Sequence, residues 1–143
     1  MAKIPTDERL LAEIYRRYDR AFADFSDETR TRSTKIWVPI DIDVLAKRFR
    51  CDPDLIFGRL YYHMNAKYGS HTGDGDSVNV FSLRIGGDRH CVNFPLLASV
   101  LADLQEDKSR FRISTRMAAL SLIVSAASIL IAIFWKGGAV MLP

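Results

Sequence analysis

Near the carboxyl end, Met117 to Trp135 (MAALSLIVSAASILIAIFW) runs without a charge, a Gly or a Pro. A helix rises about 1.5 Å per residue, so this stretch nearly matches a hydrocarbon core of roughly 30 Å. It has no polar face, unlike the core helix of a soluble domain. The pattern predicts one transmembrane helix, with Trp135 at its edge as an interfacial aromatic. Upstream the pattern changes to amphipathic. Leu11, Ile14, Tyr15, Tyr18, Phe22 and Phe25 recur at three- and four-residue steps and predict a helix opening after Thr6, with Asp7 and Glu8 in its first turn. That stripe reads as core or as a dimer face, and the opposite face (Arg9, Glu13, Arg16, Arg17, Arg20) as solvated.

Ser26 to Thr34 is a polar connection. Lys35–Ile40 is β-prone, and Pro39 confines it to a sheet edge. Asp41 can cap a short helix over Ile42–Phe49 that turns Val44, Leu45 and Phe49 inward. Asp52, followed by Pro53, can cap another running to about Lys67, with Ile56, Leu60 and Met64 inward. Tyr68–Ser77 is loop by composition. Val78–Ile85 and Cys91–Phe94 read as strands joined at Gly86-Gly87-Asp88. A last helix opens at Pro95, buries Leu96, Leu97, Val100, Leu101 and Leu104, and either continues into the apolar span or breaks near Lys108–Ser114.

LAKRFRCDPDLIFGRL, Leu45 to Leu60, resembles a helix-turn-helix. Leu45-Ala46 opens the first helix of the motif, with Ala46 small where the helices cross. Phe49 and Cys51 stand at its apolar positions, Asp52-Pro53 caps the second helix, and Ile56 and Leu60 take its core positions. Arg50 departs from the glycine common in the turn, and Arg59 from a small or apolar residue. With the strands, the resemblance extends over Lys35–Phe94 to a winged helix as a fold class, without indicating a particular family. The expected fold is α+β, mainly α: a small winged-helix-like cytoplasmic domain followed by a single C-terminal transmembrane helix. Its divisions are 1–34 (amphipathic helix and polar connection), 35–107 (winged-helix-like), 108–116 (basic juxtamembrane), 117–135 (transmembrane) and 136–143 (short tail).

Net charge is +3 and the pI near 9.0. The location of that charge changes its meaning. Met1–Asp107 holds 15 Lys+Arg against 17 Asp+Glu. The surplus lies in Lys108, Arg110, Arg112 and Arg116, which precede the span, whereas Lys136 alone follows it. The positive-inside bias puts the N-terminal domain in the cytoplasm, and the four cations are candidates for lipid headgroups. The polar N-terminus reads as carrying no signal peptide. Cys51 and Cys91 form no CxxC and read as reduced and buried. With His63, His71 and His90 they make no recognised metal spacing, so no metal or other cofactor is expected.

The resemblance implies DNA reading by the outer side of the motif's second helix. Its outward positions here, Asp52, Asp54, Phe57, Gly58, Tyr61 and Tyr62, include no cation, and two are anions. Phe57, Tyr61 and Tyr62, with Arg59 and His63 beside them, instead make a candidate protein-interaction face, the alternative being that the aromatics are core. Tyr62 is the one expected to be exposed. Lys67, Arg84, Arg89 and His90 are the candidate nucleic-acid contacts. No nucleophile stands with a His and an acid at a recognisable spacing, and no Gly loop precedes a basic helix, so no catalytic residue is assigned. Ala118, Ser121, Ser125, Ser128 and Ala132 align small residues on one face of the span and predict packing against a second copy or another subunit. The expected function is a membrane-anchored, non-catalytic adaptor or accessory subunit. The alternative is a membrane-tethered DNA-binding regulator, with nucleic acid disfavoured as a partner.

Overall fold

The computed structural model describes residues 4–26, 28, 30–71 and 77–138. The middle of the Tyr68–Ser77 loop, the tail from 139 onward, and the side chains of His71 and Lys136 lie outside what is described. The chain is mainly helical, with a small three-stranded antiparallel sheet and one long apolar C-terminal helix. It divides into two units, 1–104 and 105–143.

The first unit opens with α1 (Asp7–Ala23), capped by Thr6, whose Oγ1 accepts from the Arg9 N–H at 3.4 Å. Leu10, Leu11 and Ile14 are fully buried, and Tyr18 and Phe22 pack at the core's margin. Tyr15, in the stripe expected as core or dimer face, is 40% exposed and stacks on Phe94, while Leu10, outside that stripe, is fully buried. β1 (Trp37–Pro39) leads to α2 (Ile42–Phe49), where Asp41 Oδ1 accepts from the Val44 N–H at 3.0 Å. α2 buries Leu45 and Ala46 and leaves Val44 and Phe49 half-buried.

The turn after α2 explains one departure in the sequence. Arg50 sits in the left-handed region at φ 53°, ψ 45°. Its N–H reaches the Lys47 carbonyl at 3.2 Å, and the Cys51 N–H reaches Ala46 at 3.1 Å. These two bonds are the Schellman closure that usually favours glycine.

The next helix, expected as one piece, has three consecutive parts: α3 (Pro53–Gly58), a π-helical stretch (Arg59–Met64), and α4 (Asn65–Tyr68). Asp52 Oδ1 accepts from the Asp54 N–H at 2.8 Å at its start. Ile56, Leu60 and Met64 are all fully buried. A short ladder, β2 (Ser70–His71) with β3 (Ser77–Val78), which the sequence did not suggest, then precedes β4 (Phe81–Ile85) and β5 (Asp88–Asn93). Sheet order is β1-β5-β4, with Val38 opposite Val92 and Phe81 opposite the same Val92. β1 and its Pro39 therefore lie on one edge, as a proline requires. Gly86 turns the β4–β5 hairpin at φ 59°, and a side chain there would collide with Ser33.

α5 is helical over Phe94–Gly138, and no break appears near Lys108–Ser114. Asn93 Oδ1 accepts from the Leu96 N–H at 3.2 Å. In the first unit this helix buries Leu97, Val100 and Leu101, with Leu96 and Leu104 partly covered. In the second unit every residue from Gln105 to Trp135 is exposed. One stretch of α5 is long and apolar enough to cross a membrane, and none of it is buried.

Candidate functional site

The helix built from α3, the π-helical stretch and α4 carries three rows at four-residue spacing. A four-residue step overshoots an α-turn of 3.6 residues and falls short of a π-turn, which closes from i to i+5. Alternating the two keeps each row straight. Ile56, Leu60 and Met64 enter the core. Arg59, His63 and Lys67 converge on α1. Phe57, Tyr61 and Asn65 face the sheet and its hairpin.

The second row ends on Asp7, which is 6% exposed. Asp7 Oδ1 meets Arg59 Nη2 at 2.6 Å and Nε at 2.8 Å. Its Oδ2 receives Lys67 Nζ at 3.1 Å and the Tyr68 hydroxyl at 2.9 Å, with His63 Nε2 at 3.3 Å. Burial pushes the Asp7 carboxyl up, but hydrogen bonds from Tyr68, Lys67 and Arg59 and the Arg59 charge outweigh it and hold the pKa at about 2. A second hub forms on the same helix. Glu13, expected on a solvated face, is 7% exposed, with Arg16 at 2.8 Å, Arg17 at 2.9 Å and Arg48 at 3.6 Å. Burial again opposes ionisation there, and the bonds from Arg16 and Arg17 pull the pKa below its ordinary value. Charges that sequence order spreads over the head thus gather around two buried carboxylates.

The third row builds an aromatic surface. Phe57 stacks on Tyr61 at 4.6 Å between centroids and meets Tyr62 edge-on at 5.8 Å. The Tyr61 hydroxyl donates to the Ser82 carbonyl at 3.2 Å and lies 3.2 Å from His90 Nδ1. Burial, and to a lesser degree Cys91, pushes the Tyr61 hydroxyl above its ordinary pKa, so it stays a donor. Asn65 continues the row along β4: its amide donates to the Phe81 carbonyl and accepts from the Phe81 N–H, both at 2.8 Å. Tyr61 and Phe57 are half-buried, so each is part core and part surface, and Tyr62 is 74% exposed. Asp52 and Asp54 are exposed at the start of α3.

Of the candidate nucleic-acid contacts, Lys67 is held by Asp7 and His90 is half-buried against Phe57 and Tyr61 at φ 54°. Arg84 and Arg89 are exposed and stand directly opposite each other across β4 and β5.

Comparison with protein families, with curated proteins and with solved structures gives no match.

Both thiols are free, Cys91 buried and Cys51 half-buried, and burial raises the pKa of each. Among the described residues no three His, Cys, Asp or Glu side chains gather where they could hold a metal ion. In the second unit, Lys108, Arg110, Arg112 and Arg116 are exposed, and Arg110 pairs with Glu106 one turn away. Along the small-residue face, the hydroxyls of Ser121, Ser125 and Ser128 bond back to the carbonyls of Ala118, Ser121 and Val124 at 2.9, 2.8 and 2.9 Å. That satisfies each hydroxyl within its own helix. The two carboxylate hubs and the π-turn were missed by sequence reasoning. The four-residue rows were visible as spacing, but their partners were not: Asp7 lies 52 residues from Arg59, and Glu13 draws Arg48 from another helix.

Proposed function

We propose that this is a single-pass membrane protein whose N-terminal unit is a winged-helix-like, cytoplasmic interaction domain. It recruits or holds a protein partner and catalyses no reaction. The observation that carries the reading is the bare surface of Met117–Trp135: no residue there is buried, and lipid satisfies such a surface at no cost in exposed apolar area. Lys108, Arg110, Arg112 and Arg116 beside that stretch favour a cytoplasmic head. The succession α1-β1-α2-α3, followed after α4 and the β2–β3 ladder by β4-β5, with sheet order β1-β5-β4 and the left-handed turn between α2 and α3, supports the winged-helix assignment.

Partner recognition by protein rather than DNA is favoured by charge. Arg59, His63 and Lys67 turn toward Asp7, and the start of α3 offers Asp52 and Asp54 to solvent. Phosphate would meet repulsion there, whereas Tyr62 suits a protein interface. Arg84 and Arg89 on the hairpin are the specific observation behind a second reading, a membrane-tethered DNA-binding regulator. Full-length protein reconstituted in lipid discs separates the two. An adaptor recovers a protein partner from gently solubilised membranes and shows little affinity for duplex DNA. A regulator binds duplex with an affinity that falls steeply with added salt. Release of the protein from membranes by alkaline carbonate would remove the anchor and with it both readings.

A further inference from the structure

The groove between the π-helical stretch and β4 holds a combination that neither the apolar core nor the carboxylate hubs account for. It is a depression of about 500 Å³ whose lining includes Tyr61, Tyr62, Asn65, Phe81, Leu83 and Arg84. β4 is the outer strand of its sheet, opposite the edge held by β1. At Phe81 the Asn65 amide occupies both backbone groups, as a neighbouring strand would. Further along, Leu83 is 55% exposed and Tyr62 rises opposite it, so both walls of the groove offer apolar surface to solvent.

Arg84 also lines the groove, and Arg89 stands opposite it on β5. Successive strand residues alternate faces, so this pair projects from the side of β4 away from Leu83. Residues directly opposite on antiparallel strands project from the same side of the sheet, with Cβ atoms about 5 Å apart, and like charges so placed are destabilising. Both arginines are exposed, and a guanidinium pairs well with a carboxylate.

Resting on the adaptor reading above, we propose that the groove between the π-helical stretch and β4 receives an extended acidic segment of a partner protein. The segment lies along the β4 edge: an apolar side chain sits between Tyr62 and Leu83, and the Asp or Glu residues that alternate with it, turned to the other face of β4, engage Arg84 and Arg89. Charge complementarity selects this occupant. A basic segment would meet the arginine pair, and a nucleic acid lying along the same helix would meet Asp52 and Asp54.

The probe is a pool of displayed random peptides, selected on the full-length protein in lipid discs. The wild type is expected to enrich peptides in which Asp or Glu flank an apolar residue. Arg84→Glu with Arg89→Glu should lose these peptides by at least about tenfold and enrich Lys- or Arg-bearing ones instead, the size expected when a paired charge at an interface is reversed. Arg84→Gln with Arg89→Gln should lose the acidic preference without gaining a basic one, which separates lost recognition from lost folding. Tyr62→Ala should weaken all selected peptides and leave their charge preference intact. The proposal is overturned by a wild type that shows no charge preference, by an acidic preference that survives the charge reversal, or by duplex DNA that outcompetes the selected peptides. Recovery of one and the same membrane partner by the wild type and the charge-reversed protein would also overturn it, while leaving the adaptor reading in place.

Discussion

Asp7 shows how one side chain can organise two helices. It stands in the first turn of α1, where a carboxylate is ordinarily a solvent-facing complement to the helix dipole. Here it is buried and anchors Arg59, His63, Lys67 and Tyr68. Its carboxyl titrates near 2 in the folded protein against an ordinary 3.8. A depressed acid stabilises the fold above its ordinary pKa, and that contribution, about 2 kcal/mol, is lost as pH falls from near 4 through about 2. Asp7→Asn should therefore lower head stability by about 2 kcal/mol at neutral pH in urea unfolding, and the difference from wild type should vanish near pH 2. Arg50 makes the opposite case. It occupies a left-handed position that costs a non-glycine residue about 1 kcal/mol. Arg50→Gly should raise the unfolding midpoint, by about 0.5 kcal/mol once the freedom glycine adds to the unfolded chain is deducted.

At the scale of elements, most boundaries were readable because caps are local. Thr6, Asp41 and Asp52 each accept a backbone N–H at the start of the helix they precede. The stripes Ile56–Leu60–Met64 and Leu97–Val100–Leu101 were likewise visible as spacing. The π-helical stretch was not, because a π-turn gains its stability from what the rows touch, here Asp7 and Phe81, which are remote in sequence. The same limit applies to the face itself. Tyr62 was identifiable as the outward aromatic, but the opposition of Arg84 and Arg89 depends on hairpin register. That opposition carries its own test: Arg89→Glu should stabilise the head by about 0.5 kcal/mol, read as a raised melting temperature, while it weakens any acidic ligand.

For the molecule as a whole, the proposed anchoring rests on the apolar run in α5. Ile129→Arg places a charge inside that run at a cost of about 3 kcal/mol in membrane insertion, so a larger share of the protein should appear in the carbonate-soluble fraction. Ser125→Leu fills the small-residue face. If that face packs against another helix, the oligomer seen in mild detergent should shrink.

The sequence by itself determined the long apolar run, the helix starts at Thr6, Asp41 and Asp52, and the inward stripe Ile56–Leu60–Met64, since each follows from hydropathy and capping within a few residues. Tertiary structure alone decided that Asp7 and Glu13 are buried hubs, that Arg59, His63 and Lys67 meet at Asp7, and that two arginines from adjacent strands stand opposite each other. The physical reason is that a charge's partner depends on distance in space, and the chain brings Asp7 and Lys67 within 3.1 Å across most of the head's length.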